Sequence, residues 1–173
     1  MRTIKKIIKK TIGVLFLVLL IIGGVIGYKG YERYKEVLEK VPLQEKIAEI
    51  RQKPSYTEIE DLPQIYLDAV VAVEDKRFYH HPGIDPISIA RAVRNDIRAR
   101  ALIEGGSTIT QQLAKNQFFT QEKKIVRKVA EMFMAFKIES ELDKDKILEL
   151  YVNYIFFGNG YYCVGDACEA YFG

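Results

Sequence analysis

The 173-residue sequence has no tryptophan, only two cysteines and only two histidines. The cysteines, Cys163 and Cys168, are close in sequence and far from His80 and His81, which argues against a zinc site. On one helix, five residues apart, they point to different faces. A disulfide between them would need irregular backbone, and two buried small residues is the simpler reading. Charge of one sign is also scarce. The net charge is +3, and the basic residues at the N-terminus more than account for it. Beyond Tyr28 acids and bases nearly balance, which leaves no nucleic-acid footprint. No segment sustains an alternation of period two, so strands are not expected. Internal repeats and low-complexity tracts are absent, and no Gly-x4-Gly-Lys-Ser/Thr phosphate loop occurs.

One long apolar run is present. Arg2, Lys5, Lys6, Lys9 and Lys10 form a basic cluster without an acid. The run 11–28 that follows carries no charge and is dominated by Ile, Leu, Val and Gly. Such a run is at the short end of what spans a bilayer, which takes about 20 residues. A signal peptide also begins basic and then turns apolar, but this run ends without a good small-x-small cleavage site. The reading is an uncleaved anchor with 1–10 cytoplasmic, 11–28 in the membrane and the remainder outside. The roughly 145 residues beyond it suffice for one domain with its own core.

The pattern after the anchor is helical throughout. Residues 29–60 read as an amphipathic stalk, interrupted by Pro42, and a linker. A helix is expected from about Asp61-Leu62-Pro63 to Glu74-Asp75, with Ile65, Ala69, Val70 and Val73 on one face. A second is expected over 86–100, with Ile87, Ile89, Ala90, Val93 and Ile97 inward. Gly105-Gly106 breaks the chain, and Ser107-Thr108 caps a third helix through Asn116. Further helices are expected over 123–142, over 144–154 and from near Val164. In the first of these Ile125, Val129, Met132, Phe133 and Phe136 supply the buried stripe. The fold class is mainly α.

Four clusters carry chemistry. Glu74-Asp75 ends a helix, where the dipole and nearby Phe78 and Tyr79 disfavour a charged carboxylate and favour general-base work. His81 and Asp85 lie in the loop that follows. A solvated polar turn is the plainer alternative. In 105–116, glycines lead into a helix N-terminus suited to anions. Thr108, Gln111, Gln112 and Lys115 share a face there, fit for a polyhydroxylated or phosphorylated ligand, while Ile109 and Leu113 face away. Arg127 and Lys128 lie four and three residues before Glu131. That basic-before-acidic order stabilises a lone helix poorly, which leaves room for a functional role. The fourth cluster, 146–153 with the Phe157-Gly158-Asn159-Gly160 turn, reads as structural.

In this order the clusters resemble the peptidoglycan glycosyltransferase family, the transglycosylases of penicillin-binding proteins. The first motif, Glu-Asp-x-x-Phe-x-x-His-x-Gly-x-Asp, is matched by Glu74, Asp75, Phe78, His81, Gly83 and Asp85. The second is complete from Gly105 to Asn116, through Ser107, Thr108, Gln111, Gln112 and Lys115. The third is Arg127, Lys128 and Glu131, and the fourth is the Ile147-Leu148-Glu149 helix with its turn. The resemblance implies a lysozyme-like, bilobed helical domain with a membrane-facing jaw. It also implies polymerisation of lipid II into β-1,4-linked glycan strands, with inversion and release of polyprenyl pyrophosphate. Glu74 and Glu131 would be the catalytic pair: Glu74 the general base, Glu131 supporting the pyrophosphate side, directly or through a divalent cation, Mg or Mn. Lys115, Arg127 and Lys128 would neutralise the pyrophosphate, helped by Thr108 and Gln112. Asp75, Phe78, His81, Ser107, Gln111 and Asn116 complete the implied substrate site. No organic cofactor is implied. The implied partners are lipid II, the growing strand, the bilayer and other cell-wall synthesis proteins, and the place is the inner membrane. The chain ends at Tyr171-Phe172-Gly173, where the family continues into a fifth motif. Residues 61–173 therefore read as the N-terminal part of the domain, of the monofunctional type first.

Two rival readings remain. A glycan-cleaving lytic transglycosylase or muramidase would share the core and a glutamate. It needs a proton donor for a sugar leaving group and has no use for the basic cluster. A non-catalytic membrane scaffold would not need every motif residue.

Overall fold

With no proline before residue 42, nothing in the sequence stops a helix from running through the apolar stretch and beyond it. The computed structural model, which describes residues 2–101, 105–119 and 125–173, shows that continuous helix as α1 (Arg2–Lys40). Pro42 breaks it and serves as N-cap of α2 (Leu43–Arg51). Over 6–40 the helix is long and apolar enough to cross a membrane, and its apolar window is unburied. Past Tyr28 the same helix packs on protein. Tyr31 and Tyr34 lie against Phe133, with ring centroids 5.3 and 6.0 Å apart, and Val37 is buried.

The stretch read as stalk and linker is packed into the domain. Leu43, Ile47 and Ile50 of α2 are buried in its main hydrophobic cluster. The turn that follows is tied down by Asn153, which accepts from Thr57 N at 2.9 Å and donates to Thr57 O at 2.8 Å. A short 3-10 turn (Ile59–Asp61) leads to Pro63, and α3 (Gln64–Glu74) ends on the carboxylate singled out above. Asp85 caps α4 (Pro86–Ala99) by accepting from Ile87 N and the Ser88 hydroxyl, with Pro86 in the first turn.

The centre is built from α5 (Ile109–Phe118), α6 (Ile125–Glu141) and α7 (Lys144–Val152), followed by α8 (Val164–Phe172). All six residues from Ile147 to Val152 are buried, so α7 is surrounded on every side. Among the described residues there are eight α-helices and no strand, in agreement with the mainly α class. The expected start of the α6 helix at Lys123 lies outside the described residues.

Three helix faces differ from expectation. On α3, Ile65 and Val73 are about four-fifths exposed, and Leu67 is the buried residue. On α4 the expected core residues Ile87, Ile89, Ala90, Val93 and Ile97 are all exposed, and Ala92 is buried instead. On α6 the buried stripe is Ala130, Glu131, Met134, Ala135 and Ile138, while Ile125 and Phe136 are exposed. The reason is shared. Helical period identifies an apolar face but not what covers it. On α6 Val129 and Phe133 meet α1, and α5 packs on the same helix. Both cysteines are free; Cys163 is buried and Cys168 exposed, so the expectation of two buried thiols fails for Cys168.

Candidate active site

The site is organised around the N-terminus of α5. Thr108 caps it with a full capping box: its hydroxyl accepts from Gln111 N at 3.1 Å, and the Gln111 side chain accepts from Thr108 N at 3.2 Å. The Thr108 hydroxyl also donates to Gly83 O at 2.6 Å. Gly83 sits at φ +92°, where a side chain is strained, and a Cβ would lie a tight 3.2 Å from Ala135 O, so glycine suits this position. Thr108→Val removes the hydroxyl at constant shape. It is expected to destabilise the domain by about 2 kcal/mol, and Thr108→Ser by less. Thermal unfolding in detergent checks this, and equal midpoints for the two variants would contradict it.

Asp75 fastens the same helix end to the loop after α3. Its carboxylate accepts from Ile109 N at 3.1 Å and pairs with His81 Nε2 at 2.9 Å. Both side chains are almost fully buried. Phe78 is buried beside them, with the Lys144 ammonium 4.5 Å from its ring centroid. Asp75, Phe78, His81, Thr108 and Gln111 thus build the frame of the site.

That frame opens into a cleft of about 760 Å³. Glu74 lines one wall, at the end of α3. Ser107, Gln112 and Lys115 come from α5 and the loop before it, and Lys128 from α6. Gln112 Nε2 donates to Glu74 Oε2 at 2.8 Å, and the Tyr151 hydroxyl donates to Gln112 Oε1 at 3.2 Å. This relay fixes the Glu74 carboxylate from the core outward. Burial, and after it the Glu74 charge, pushes the Tyr151 phenol well above its ordinary pKa, so it remains a donor. On the far wall Lys128 reaches Ser107 Oγ at 2.8 Å. Lys128 and Arg127 lie 3.2 and 3.0 Å from Glu131, whose side chain is 1% exposed. Glu131 is thus a buried carboxyl group within ion-pair range of two cations, with neither oxygen in hydrogen-bond geometry.

The arrangement brings a carboxylate and two ammonium groups, those of Lys115 and Lys128, to the lining of one cleft. Phe78, His81, Asn116, Arg127 and Glu131 are not among the described lining residues. The cleft also includes four residues that the motifs did not supply: Val73, Lys76, Ser88 and Arg91. Ser88 and Arg91 are i,i+3 neighbours on the polar face of α4, which is the signal that could have found them. Tyr151, read as structural, reaches the site through Gln112.

The sequence model of the Transglycosylase family matches residues 43–173. The chain belongs to the transglycosylase family. It is 50% identical over 122 residues to penicillin-binding protein 1A of Aquifex aeolicus, covering 70% of this chain and 17% of that protein. It is 50% identical over 114 residues to penicillin-binding protein 1F of Bacillus subtilis, covering 66% of this chain and 16% of that protein. To penicillin-binding protein 1A of Haemophilus influenzae it is 41% identical over 172 residues, covering 98% of this chain and 20% of that protein. The chain therefore spans a fifth or less of the length of these curated relatives.

The residues around Glu131 are a poor fit to a divalent cation. Arg127 and Lys128 already neutralise that carboxylate, and a hard divalent ion asks for several oxygen ligands. The acidic group whose ligand atoms do converge, Glu58, Glu60 and Glu149, belongs to a structural network away from the cleft lining.

Proposed function

We propose that the cleft joins lipid-linked disaccharide-pentapeptide units into a glycan strand, outside the membrane that α1 enters. The observation that carries this reading is Glu74 lining one cleft together with Lys115 and Lys128. A sugar hydroxyl attacking an anomeric carbon must lose a proton, and a pyrophosphate leaving opposite to it needs cations but no general acid. In the proposed step, O4 of the acceptor sugar bonds to C1 of the donor sugar and its proton passes to Glu74. The C1–O bond to pyrophosphate breaks, and the electron pair leaves with the polyprenyl pyrophosphate. Attack from the opposite face inverts C1 and yields the β-1,4 link. Lys115 and Lys128 meet the departing charge, and Glu131 orients Lys128 and Arg127. Gln112 and Tyr151 hold Glu74, and no step is routed through a metal.

The outward apolar face of α4 supports a membrane-facing jaw. Ile87, Val93 and Ile97 are more than half exposed, beside Arg94 and Arg98 on the same helix. Such a face suits the lipid interface, with arginines toward headgroups. The basic residues before the apolar run favour a cytoplasmic N-terminus and an outer catalytic domain. Residues 61–173 would form the first part of the glycosyltransferase domain.

The test is polymerisation of lipid-linked disaccharide-pentapeptide by the full-length protein in vesicles, read as glycan chain length. Lys128→Ala is expected to raise the donor concentration at half-saturation by about 10- to 100-fold, the worth of one charge-assisted hydrogen bond. Unchanged donor saturation would remove Lys128 from the phosphate role. A cleaving enzyme would instead shorten preformed glycan, an activity for which the cation wall has no use.

A further inference from the structure

Among the described residues the anchor helix α1 packs extensively on α6, the helix that carries Arg127, Lys128 and Glu131. Gly30 is a point of close approach in this packing. A Cβ there would fall 2.5 Å from Val129 Cγ1, 2.6 Å from Val129 Cβ and 3.3 Å from Val126 O. Only a residue without a side chain admits this approach. Gly30 comes two residues after Tyr28, the end of the uncharged run, so at about 1.5 Å per residue it sits about 3 Å past that end. Val126, Val129 and Phe133 take the α1 side of α6. At 3.6 residues per turn, Arg127, Lys128 and Glu131 fall on the opposite side of the same two turns. The Tyr31 and Tyr34 rings on Phe133 extend the seam, and buried Val37 continues it toward the domain.

We infer that Gly30 is a positioning residue, through which the membrane helix sets the height and rotation of the cation wall relative to the bilayer. This rests on the functional reading above. A lipid-linked pyrophosphate lies at the headgroup level, and the contact that locates α6 is made at the end of the membrane-crossing stretch. The span continues as one unbroken helix into that contact, so no flexible joint separates the bilayer from the site. Gly30 touches no reacting atom. It acts through Val129 and the body of α6.

The experiment compares two donors with the full-length protein reconstituted in phospholipid vesicles. One donor carries the long polyprenyl chain and is held in the bilayer; the other carries a short, water-soluble chain. Gly30→Ala is expected to lower polymerisation of the bilayer-held donor at least about tenfold, the scale of an ångström-level misplacement. The short-chain donor, free to adjust its height, should be used within about twofold of wild type. Adding Val129→Gly, which removes both the Cβ and the Cγ1 that the new methyl would meet, should restore use of the bilayer-held donor. Gly30→Val should be worse than Gly30→Ala and resist that rescue. Equal losses with both donors would make Gly30 a merely structural residue and overturn the inference, as would no loss with either. A wild type inactive on both donors would sink the functional reading itself, and this inference with it.

Discussion

Glu74→Gln in the full-length protein is expected to lose glycan polymerisation by a factor of about 10² to 10⁴, the range for removing a positioned general base. The substitution keeps shape and size. An amide oxygen at the same place still accepts from Gln112 Nε2, so the 2.8 Å contact and the Tyr151 relay behind it survive. The cation wall is untouched, because Lys128 and Arg127 are held by Glu131 and not by Glu74. Only the capacity to accept a proton is lost. The variant should therefore bind a phosphoglycolipid inhibitor as wild type does, which separates lost chemistry from lost structure. Polymerisation at the wild-type rate would show that another group takes the proton. Loss of inhibitor binding together with activity would show that the carboxylate is a structural element.

The second large effect is on stability. Glu149 is fully buried on α7, and its carboxylate draws together three parts of the chain. It accepts from the Tyr56 hydroxyl and from Ile59 N at 3.0 Å, and Lys146 Nζ lies 3.1 Å away. Arg51 of α2 stands 3.7 Å off. Removing one member of a buried charge network leaves the others unpaired, so Glu149→Ala is expected to cost about 3–5 kcal/mol. Burial by itself raises the Glu149 pKa, but hydrogen bonds from Tyr56, Ile59 N and Lys146 outweigh it and hold the value below the ordinary 4.5. A carboxyl depressed in the folded state contributes stability that is fully present above its unfolded value. That contribution is lost as pH falls below about 4.5 and through the lower folded value. Unfolding midpoints in detergent at neutral pH and near pH 3 should thus differ more for wild type than for Glu149→Gln. Parallel pH profiles for the two proteins would contradict the assignment.

Read as sequence, the chain already displays most of its one-dimensional plan. The anchor is legible because a bilayer demands a long uncharged run, and the break at Pro42 because proline cannot continue a helix. The start of α5 is legible because Thr108 and Gln111 stand at capping-box spacing. The three clusters around Glu74, Lys115 and Lys128 are legible because their residue types match one chemistry in one order. Arg91 and Ser88 were missed because a polar helix face looks the same whether it meets water or a cleft. Tyr151 was missed because it lies 77 positions after Glu74 and reaches it only through Gln112.

The tertiary structure decided the orientation of what the sequence had already made helical. Periodicity on α4 and α6 marks an apolar face, yet a lipid, a neighbouring helix and a domain interior all solvate such a face equally well. Packing alone turned the α4 stripe outward, drew Glu131 inward between two cations, and placed α2 in the core. It also packed the far end of the long N-terminal helix against α6. The apolar run, long enough to cross a membrane, and its length follow from hydrophobicity along the chain. That the same helix then presses Gly30 on Val129, behind the cation wall, follows only from contacts between residues a hundred positions apart.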